Sequence, residues 1–190
     1  MYKLGLVAGL VLTHTAGEVF AGAIERSKQP IQPLFESGRY LEFSVVAVSP
    51  NVSGVDSGVA QPGASSGNII DNYFQFGVAY KDDVNDKWSY ALILDQPYGA
   101  DTTYPDGKAY FASGSSADID SYALTGIARY KFNENFSIYG GLRAQTIEAS
   151  ARIPFVADYT IDTNSDTGFG WLAGWLVLHM KYQRLRDGSL

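Results

Sequence analysis

The residue types that most often carry enzyme chemistry are scarce in this chain. The only histidines of the 190-residue sequence are His14 and His179, and there is no cysteine. A serine nucleophile needs a neighbouring base, and the body between the two histidines supplies no histidine for that role. The acidic pairs Asp82/Asp83 and Asp118/Asp120 lie among turn and loop residues, where solvated carboxylates are the usual case. The sequence therefore predicts no enzyme, no metal site and no cofactor.

Polar side chains inside alternating apolar segments are better candidates for a binding role. Arg129, Arg143 and Gln145 fall on the polar face of two such segments. If that face lines a lumen, an arginine there can bind a carboxylate through charge-assisted hydrogen bonds. The preferred interpretation is that a lumenal arginine pairs with a lumenal acid such as Glu148 or Asp95, because barrel interiors are generally polar.

Composition and charge fit a single exported domain rich in strands. The net charge is −6, which argues against a nucleic-acid partner because phosphate binding needs a clustered basic surface. The 13 tyrosines and 20 glycines favour strands over helices. Lys3 and the apolar run 4–12 precede small residues at Ala21 and Ala23, a pattern typical of an export signal. We take residues 1–21 as a cleavable signal peptide, with cleavage after Ala23 as the alternative.

Several segments alternate apolar and polar residues with a period of two, which is the pattern of β-strands. The five best are Tyr40–Ser49, Tyr73–Tyr80, Trp88–Asp95, Ser121–Tyr130 and Phe136–Gln145, and Gly168–Val177 is a candidate sixth. Alternating segments of about 9–11 residues, apolar toward lipid and polar toward a lumen, are typical of membrane barrels. We therefore predict an all-β fold, an antiparallel transmembrane β-barrel, with its strands in residues 39–178.

The connections between these segments are of two kinds. Tyr80–Ser89 and Tyr130–Ser137 echo each other, because each leads from an aromatic residue and a lysine through a short turn to an aromatic residue and a serine. Longer polar stretches lie at 53–71, 98–119 and 154–167. Short turns at one end and long loops at the other are typical of outer-membrane barrels, and aromatic strand ends fit their interfacial girdles.

The number of strands is small for a closed barrel. The smallest such barrels have eight strands, and an open edge in lipid leaves backbone groups unpaired. The segment 179–190 is basic, lacks alternation and differs from the acidic body. We interpret the chain as a truncated or frame-shifted copy of a longer barrel, with an aberrant tail at 179–190.

An ordered series of short segments resembles one family of outer-membrane transporters. The segments are Ile24–Ser27 (IERS), Leu34–Ser44 (LFESGRYLEFS), Val48–Gly54 (VSPNVSG), Ala91–Asp101 (ALILDQPYGAD), Tyr139–Arg143 (YGGLR) and Gly168–Gly174 (GFGWLAG). Over residues 22–175 this series resembles the FadL/TodX transporters of fatty acids and other hydrophobic compounds.

The resemblance implies a 14-stranded barrel in the cell outer membrane, of which this chain would supply five or six strands, and a short hatch-like segment at 22–38. The implied partners are hydrophobic small molecules (fatty acids or aromatic hydrocarbons) and outer-membrane lipid. Such molecules would leave sideways through a gap where the third strand kinks, and the matching positions here are Pro97, Tyr98, Gly99 and Ala100. Proline cannot donate to a strand ladder and glycine tolerates a bend.

Three alternatives stay open at this point. Pro97–Gly99 could simply end a strand and begin a loop, because proline and glycine punctuate most loops. The chain could be a small outer-membrane barrel with a structural or adhesive role. It could also be a secreted β-sandwich without transport activity.

Overall fold

The structure is a computed structural model that describes residues 24–27, 30–58 and 61–178. The predicted signal peptide at 1–21, both predicted cleavage sites and the tail at 179–190 lie outside these residues. Within the described ranges, no helix is long and apolar enough to cross a membrane.

Regular structure in the described chain is almost entirely β. A short 3-10 helix, Gln32–Phe35, comes before the strands. The strands are β1 (Tyr40–Val48), β2 (Tyr73–Asp83), β3 (Trp88–Asp95), β4 (Gly99–Thr103), β5 (Ser116–Lys131), β6 (Phe136–Ile153), β7 (Tyr159–Asp162) and β8 (Asp166–Val177). Six of them coincide with the six segments that alternation predicted.

The short strands β4 and β7 lie in stretches predicted to be loops, and for these residues that prediction is wrong. β4 pairs with the first residues of β5, and β7 pairs with the last residues of β6. Both partners run longer than predicted, 16 residues for β5 and 18 for β6. In both extensions the apolar residues, such as Ile119 and Ile147, fall on the opposite face from the apolar residues of the strand body, so the pattern of a lipid-facing strand does not continue, and pairing with a neighbour stabilises them instead.

The strands form one antiparallel sheet, in the order β1-β2-β3-β5-β6-β7, with β4 beside β5 and β8 beside β6. Within the described chain, β1 lies at one edge beside β2, and β8 and β7 lie along successive parts of β6 at the other edge. The predicted all-β antiparallel fold is confirmed.

The sheet has one apolar and one polar face. Leu142, Phe169 and Trp171 project from the apolar face and are 73%, 85% and 80% exposed. Small and polar side chains such as Ala91 and Thr125 are buried on the other face. A soluble sandwich would bury its apolar faces between two sheets, whereas the strands of the described chain belong to a single sheet. An exposed apolar band is what lipid covers in a membrane barrel.

The two short turns share one construction, as their echoing sequences suggested. The Asn85 carboxamide oxygen accepts hydrogen bonds from the backbone N–H groups of Lys87 and Trp88. The Asn133 carboxamide oxygen does the same for Asn135 and Phe136. An Asn side chain that bonds to the backbone two residues ahead stabilises a tight turn. We refer to this side of the sheet as the turn end, and to the opposite side as the loop end.

Aromatic rings form a row of contacts near the turn end. The contacting pairs, with centroid distances, are Tyr80–Tyr90 (6.1 Å), Trp88–Tyr130 (4.9 Å), Tyr130–Phe132 (4.9 Å) and Phe132–Phe136 (5.4 Å). Rings at these distances attract one another in tilted or edge-to-face geometry. The aromatic residues predicted to mark the strand ends therefore lie side by side.

The segment that precedes β1 packs against the polar face, which we call the inner face. Leu34 of the 3-10 helix is fully buried against Ala79, Ala91, Ile93 and Ile127. The small alanines leave room for the leucine side chain, so burial of apolar surface holds this segment against the sheet.

Candidate functional site

The wall is interrupted between β3 and β4. Pairing of β3 with β5 ends at Asp95 opposite Ala123, and pairing of β4 with β5 begins at Gly99 opposite Asp120. Residues 96–98 therefore lie opposite residues 121–122, which leaves one extra residue in the chain that joins β3 to β4. An extra residue of this kind is a β-bulge, which bends the strand and disrupts the local ladder.

The other neighbour, β2, also loses its ladder at this point. Its backbone pairing with β3 ends at Val78 opposite Leu94, and the next contact is the bridge between Ile70 and Thr102. Between these limits, the Phe76 N–H donates to the side-chain oxygen of Gln96 at 2.9 Å. A side chain thus replaces a backbone partner where the two strands separate. We call the region of residues 96–98 and the facing part of β2 the wall break.

Ser121 of β5 holds the bulge in place. Its hydroxyl accepts a hydrogen bond from the Tyr98 N–H at 2.8 Å and donates one to the Tyr98 carbonyl at 2.7 Å. The serine is 1% exposed. Its hydroxyl therefore provides buried partners for the two backbone groups of Tyr98, which the bulge would otherwise leave unpaired.

Residues 24–27 lie along the wall break like a short added strand. The N–H groups of Arg26 and Ser27 donate to the Pro97 carbonyl at 2.8 and 3.2 Å, and the Gly99 N–H donates to the Ile24 carbonyl at 2.8 Å. On the side of β2, the Gln75 carboxamide donates to the Arg26 carbonyl at 2.9 Å. The segment therefore satisfies backbone groups of Pro97 and Gly99, and on the other side of the break its Arg26 carbonyl accepts a side chain of β2.

The side chain of Arg26 anchors this segment. Its guanidinium donates to the Asp101 carboxylate at 2.6 Å, has Asp120 at 3.8 Å and lies over the Tyr73 ring at 4.2 Å from the centroid. The side chain is only 5% exposed, so the ion pair is well shielded from water. A Cβ added at Gly99 would overlap the guanidinium, which explains why this position carries no side chain.

A cavity of about 190 Å³ adjoins the wall break on its turn side. Its lining comes mostly from inner-face residues such as Ser44, Gly77 and Asp95, and it also includes Phe76 and Leu94 where β2 and β3 separate. Ser27 lines the same space and donates its hydroxyl to Asp95 at 2.6 Å. The space therefore lies between the N-terminal segment and the inner face, at the point where β2 and β3 separate.

The four consecutive positions predicted to border an opening lie at the wall break and at the start of the strand that follows it. Pro97 and Tyr98 belong to the bulge, and Gly99 and Ala100 begin β4. They do not line the cavity, which extends only as far as Asp95 on that strand. The alternative that Pro97–Gly99 merely starts a loop does not describe this chain, because a paired strand follows at once.

Four side chains that hold the wall break together were not predicted from the sequence. They are Arg26, Gln75, Gln96 and Ser121. Gln96 stands next to Pro97, and a polar residue beside a proline inside a strand pattern is the one local signal that could have identified it. The others act across 20 or more residues of sequence, where no local pattern indicates a partner.

The two arginines predicted to face a lumen, Arg129 and Arg143, differ in their partners. The Arg143 guanidinium bonds to both Asp95 carboxylate oxygens at 3.2 Å and to the Thr125 hydroxyl at 2.8 Å, so the acid that neutralises it is Asp95 and not Glu148. Gln145 lies two residues farther along the same face of β6. Arg143 is thus occupied by a structural ion pair.

Arg129 has a different environment. Its Nε donates to the Ser137 hydroxyl at 2.9 Å, and its guanidinium lies 4.9 Å from the centroid of the Phe35 ring. The residue is 9% exposed. Among the described residues, no carboxylate forms an ion pair with it.

A second group of charges fixes the junction between the N-terminal segment and β1. Gly38, which has φ of 66°, donates its N–H to Asp83 at 3.0 Å and accepts a bond from the buried Lys81 ammonium at 2.8 Å. The positive φ favours glycine at this position. Next to it, the hydrogen bond with Asp82 raises the pKa of the Arg39 guanidinium above its ordinary value.

No cluster of three or more metal-ligating side chains occurs among the residues that the structure describes. The predicted absence of a metal site or cofactor stays a prediction.

Comparison with known proteins identifies the fold. No protein-family model matches the sequence, and no curated protein matches it. Among solved structures, the chain is similar to a FadL homologue from Pseudomonas aeruginosa, with a TM-score of 0.51 and 17% sequence identity. The match covers 75% of this chain and 39% of that one, so the chain spans well under two thirds of the neighbour's length. At this identity the likeness shows a shared fold: the chain has the architecture of part of a FadL-like β-barrel.

Proposed function

We propose that this chain forms part of the wall of an outer-membrane barrel through which hydrophobic compounds pass passively and leave sideways. Fatty acids and aromatic hydrocarbons are the substrate classes we infer, and outer-membrane lipid is the surrounding partner. The FadL-like fold and the exposed apolar face support this location. The observation that carries the proposal is the wall break, where backbone pairing between β2 and β3 stops beside a cavity on the inner face.

The energetics of backbone pairing favour an opening at the wall break. In lipid, each unpaired backbone group costs several kcal/mol, so a continuous ladder resists separation. At the break, Pro97 has no N–H to lose, Gln96 supplies the partner of Phe76 through its side chain, and Ser121 satisfies Tyr98. The strands can therefore stay apart here with few orphaned groups.

In this proposal residues 24–27 close the passage, and residues 22–38 act as a hatch-like segment. Pro97 and Tyr98 border the opening within the break, and Gly99 and Ala100 form its rim on the loop side. Residues 24–27 withdraw along the inner face to let a substrate reach the cavity and the outer surface beyond it.

The experiment that tests the proposal narrows the cavity from its inner side. Gly77 borders Ser44, whose hydroxyl would lie 2.8 Å from an added Cβ. We expect Gly77→Leu to lower the uptake of radiolabelled dodecanol several-fold in cells that express the full chain and lack other carriers. Gly77→Ala, which requires only the serine hydroxyl to shift, should have a smaller effect in the same direction.

Gly168→Leu is the matched control, because nothing lies within 4 Å of a Cβ added there. Folding of each variant is checked by its strand signal in circular dichroism. If Gly77→Leu folds and takes up dodecanol at the rate of the unsubstituted chain, the cavity is not the passage. If the unsubstituted chain inserts in the membrane without raising uptake, the structural or adhesive barrel becomes the better account.

A further inference from the structure

Two aromatic rings meet across the wall break on the outer face of the sheet. Phe76 belongs to β2 and Tyr122 to β5, and their ring centroids lie 6.0 Å apart. Each shares its face with an exposed apolar residue two positions away, Phe74 on β2 and Leu124 on β5. In the described sheet β3 lies between these two strands. Strands two places apart are separated by about 10 Å, and a side chain of the middle strand normally stands between theirs.

The register of the sheet explains how the two rings come into contact. One row closer to the turn end, the side chain of Leu94 stands between its partners on β2 and β5. If both ladders continued by two residues, residue 96 would stand in the same way between Phe76 and Tyr122. The Gln96 side chain is instead 5% exposed and accepts the Phe76 N–H at 2.9 Å. The rings therefore close over a place from which the middle strand has withdrawn its side chain.

Both rings are carried by backbone that is held in place. The Phe76 N–H is bound by Gln96, and Ser121, which precedes Tyr122, is bound to both backbone groups of Tyr98. The contact between the rings, by contrast, is a packing contact. Rotation about side-chain bonds can part the rings without loss of a backbone hydrogen bond. Phe76 and Tyr122, which we call the ring pair, are thus movable side chains in a fixed frame.

The ring pair lies at the outer end of the proposed passage. Residues 24–27 cover the wall break on the inner face, and Phe76 lines the cavity that adjoins it. Tyr122 is exposed on the outer face. A molecule that moves from the cavity toward lipid through the break therefore meets these two rings last.

We propose that the ring pair sets the width of the molecules that leave through the wall break. This inference rests on the proposed function and deepens it, because it names the residues that select among hydrophobic compounds and the property by which they select. Rings in contact admit only a molecule for which their rotation makes room. A slender, flexible chain needs less room than a rigid cage, so the chain passes and the cage is held back.

The test compares two neutral alcohols of different width, dodecanol and the cage compound adamantanol. Uptake of each radiolabelled alcohol is measured in cells that express the full chain and lack other carriers, above the uptake of cells without the chain. We expect Phe76→Ala and Tyr122→Ala each to raise the ratio of adamantanol uptake to dodecanol uptake several-fold. The double variant should add little to either single change, because residues in contact do not act independently. Tyr122→Phe keeps the ring and should keep the ratio.

Phe74→Ala is the matched control, because it removes an exposed ring from the same face of β2, one row closer to the loop end. Folding of each variant is checked by its strand signal in circular dichroism. An unchanged ratio in folded Phe76→Ala and Tyr122→Ala, or an equal rise in Phe74→Ala, would overturn the inference. Equal uptake of both alcohols by the unsubstituted chain would overturn it too, while the proposed function stands. If the unsubstituted chain takes up no dodecanol, both fail.

Discussion

The Arg26 guanidinium lies directly over Gly99, so closely that a Cβ at that glycine would overlap it. One residue belongs to the N-terminal segment and the other to the first position of β4. Their contact, together with the Arg26–Asp101 ion pair at 2.6 Å, places residues 24–27 in the wall break. Closure of the wall therefore depends on a packing contact and a charge contact that share one arginine.

Replacement of Gly99 by alanine should loosen the segment. The added methyl group would displace the guanidinium, and overpacking of this kind costs about 1–3 kcal/mol. We expect faster amide exchange at Arg26 and Gly99, measured by hydrogen–deuterium exchange and mass spectrometry, and a higher rate of dodecanol uptake. Gly170→Ala is the control, because a Cβ added at Gly170 meets open space. Gly107→Ala is unsuitable as a control, because Gly107 has a positive φ. Exchange at 24–27 that matches the unsubstituted chain would contradict the contact.

Replacement of Asp101 by asparagine tests the charge contact separately. The change leaves the shielded Arg26 without its nearest carboxylate, and loss of one partner of a buried pair costs about 3–5 kcal/mol. Because Asp101 is 26% exposed, we expect a smaller loss of stability than this, seen only as faster amide hydrogen exchange of residues 24–27. Asp162→Asn, a change at an exposed carboxylate of β7, should leave that exchange rate as it is. Equal amide exchange of residues 24–27 in Asp101→Asn and Asp162→Asn would contradict the prediction.

Ser121→Ala should destabilise the bulge. The serine hydroxyl bonds to both backbone groups of Tyr98, and each buried group left without a partner costs about 1–3 kcal/mol. We expect a lower urea midpoint for unfolding of the chain in detergent. Ser150→Ala, on the same sheet but without a hydrogen bond to its hydroxyl among the described residues, provides the comparison. Equal midpoints for the two variants would show that the hydroxyl does not support the bulge.

The two short turns should respond alike to the same substitution. Asn85 and Asn133 each accept two backbone N–H groups, so Asn85→Ala and Asn133→Ala should each lower the free energy of unfolding by about 1–2 kcal/mol. Asn135→Ala is the control within the second turn, since Asn135 forms hydrogen bonds only through its backbone among the described residues. A large difference between Asn85→Ala and Asn133→Ala would show that the turns are not equivalent.

The strands, their faces and the short turns could be predicted because each depends on residues close in sequence. Alternation along β3 fixes which side chains face outward, and the Asn-containing turns bond within a few residues. The resemblance placed Pro97 and Gly99 at an interruption, and the structure has a bulge there. These features share a short range of interaction.

The rest depends on contacts between distant residues. Arg26 meets Asp101 across 75 positions and Gln75 meets the Arg26 carbonyl across 49, and no local pattern links them. β4 and β7 were missed because they are only five and four residues long and gain their structure from β5 and β6. The choice between Asp95 and Glu148 as the partner of Arg143 likewise needed the register of three strands.

The most direct test locks residues 24–27 in the wall break. Glu25 and Tyr98 are bridge partners, a spacing that suits a disulfide, and the chain has no cysteine of its own. Glu25→Cys with Tyr98→Cys can therefore be oxidised without competing thiols. Thr146→Cys with Thr167→Cys, partners in the continuous β6–β8 ladder, is the matched control pair.

The measurement is dodecanol uptake by cells that express each double variant, before and after reduction of the disulfide. We predict that the oxidised Glu25–Tyr98 pair blocks uptake, that a reductant restores it, and that the control pair transports in both states. Full uptake with the Glu25–Tyr98 disulfide formed would contradict the claim that substrates pass where residues 24–27 now lie.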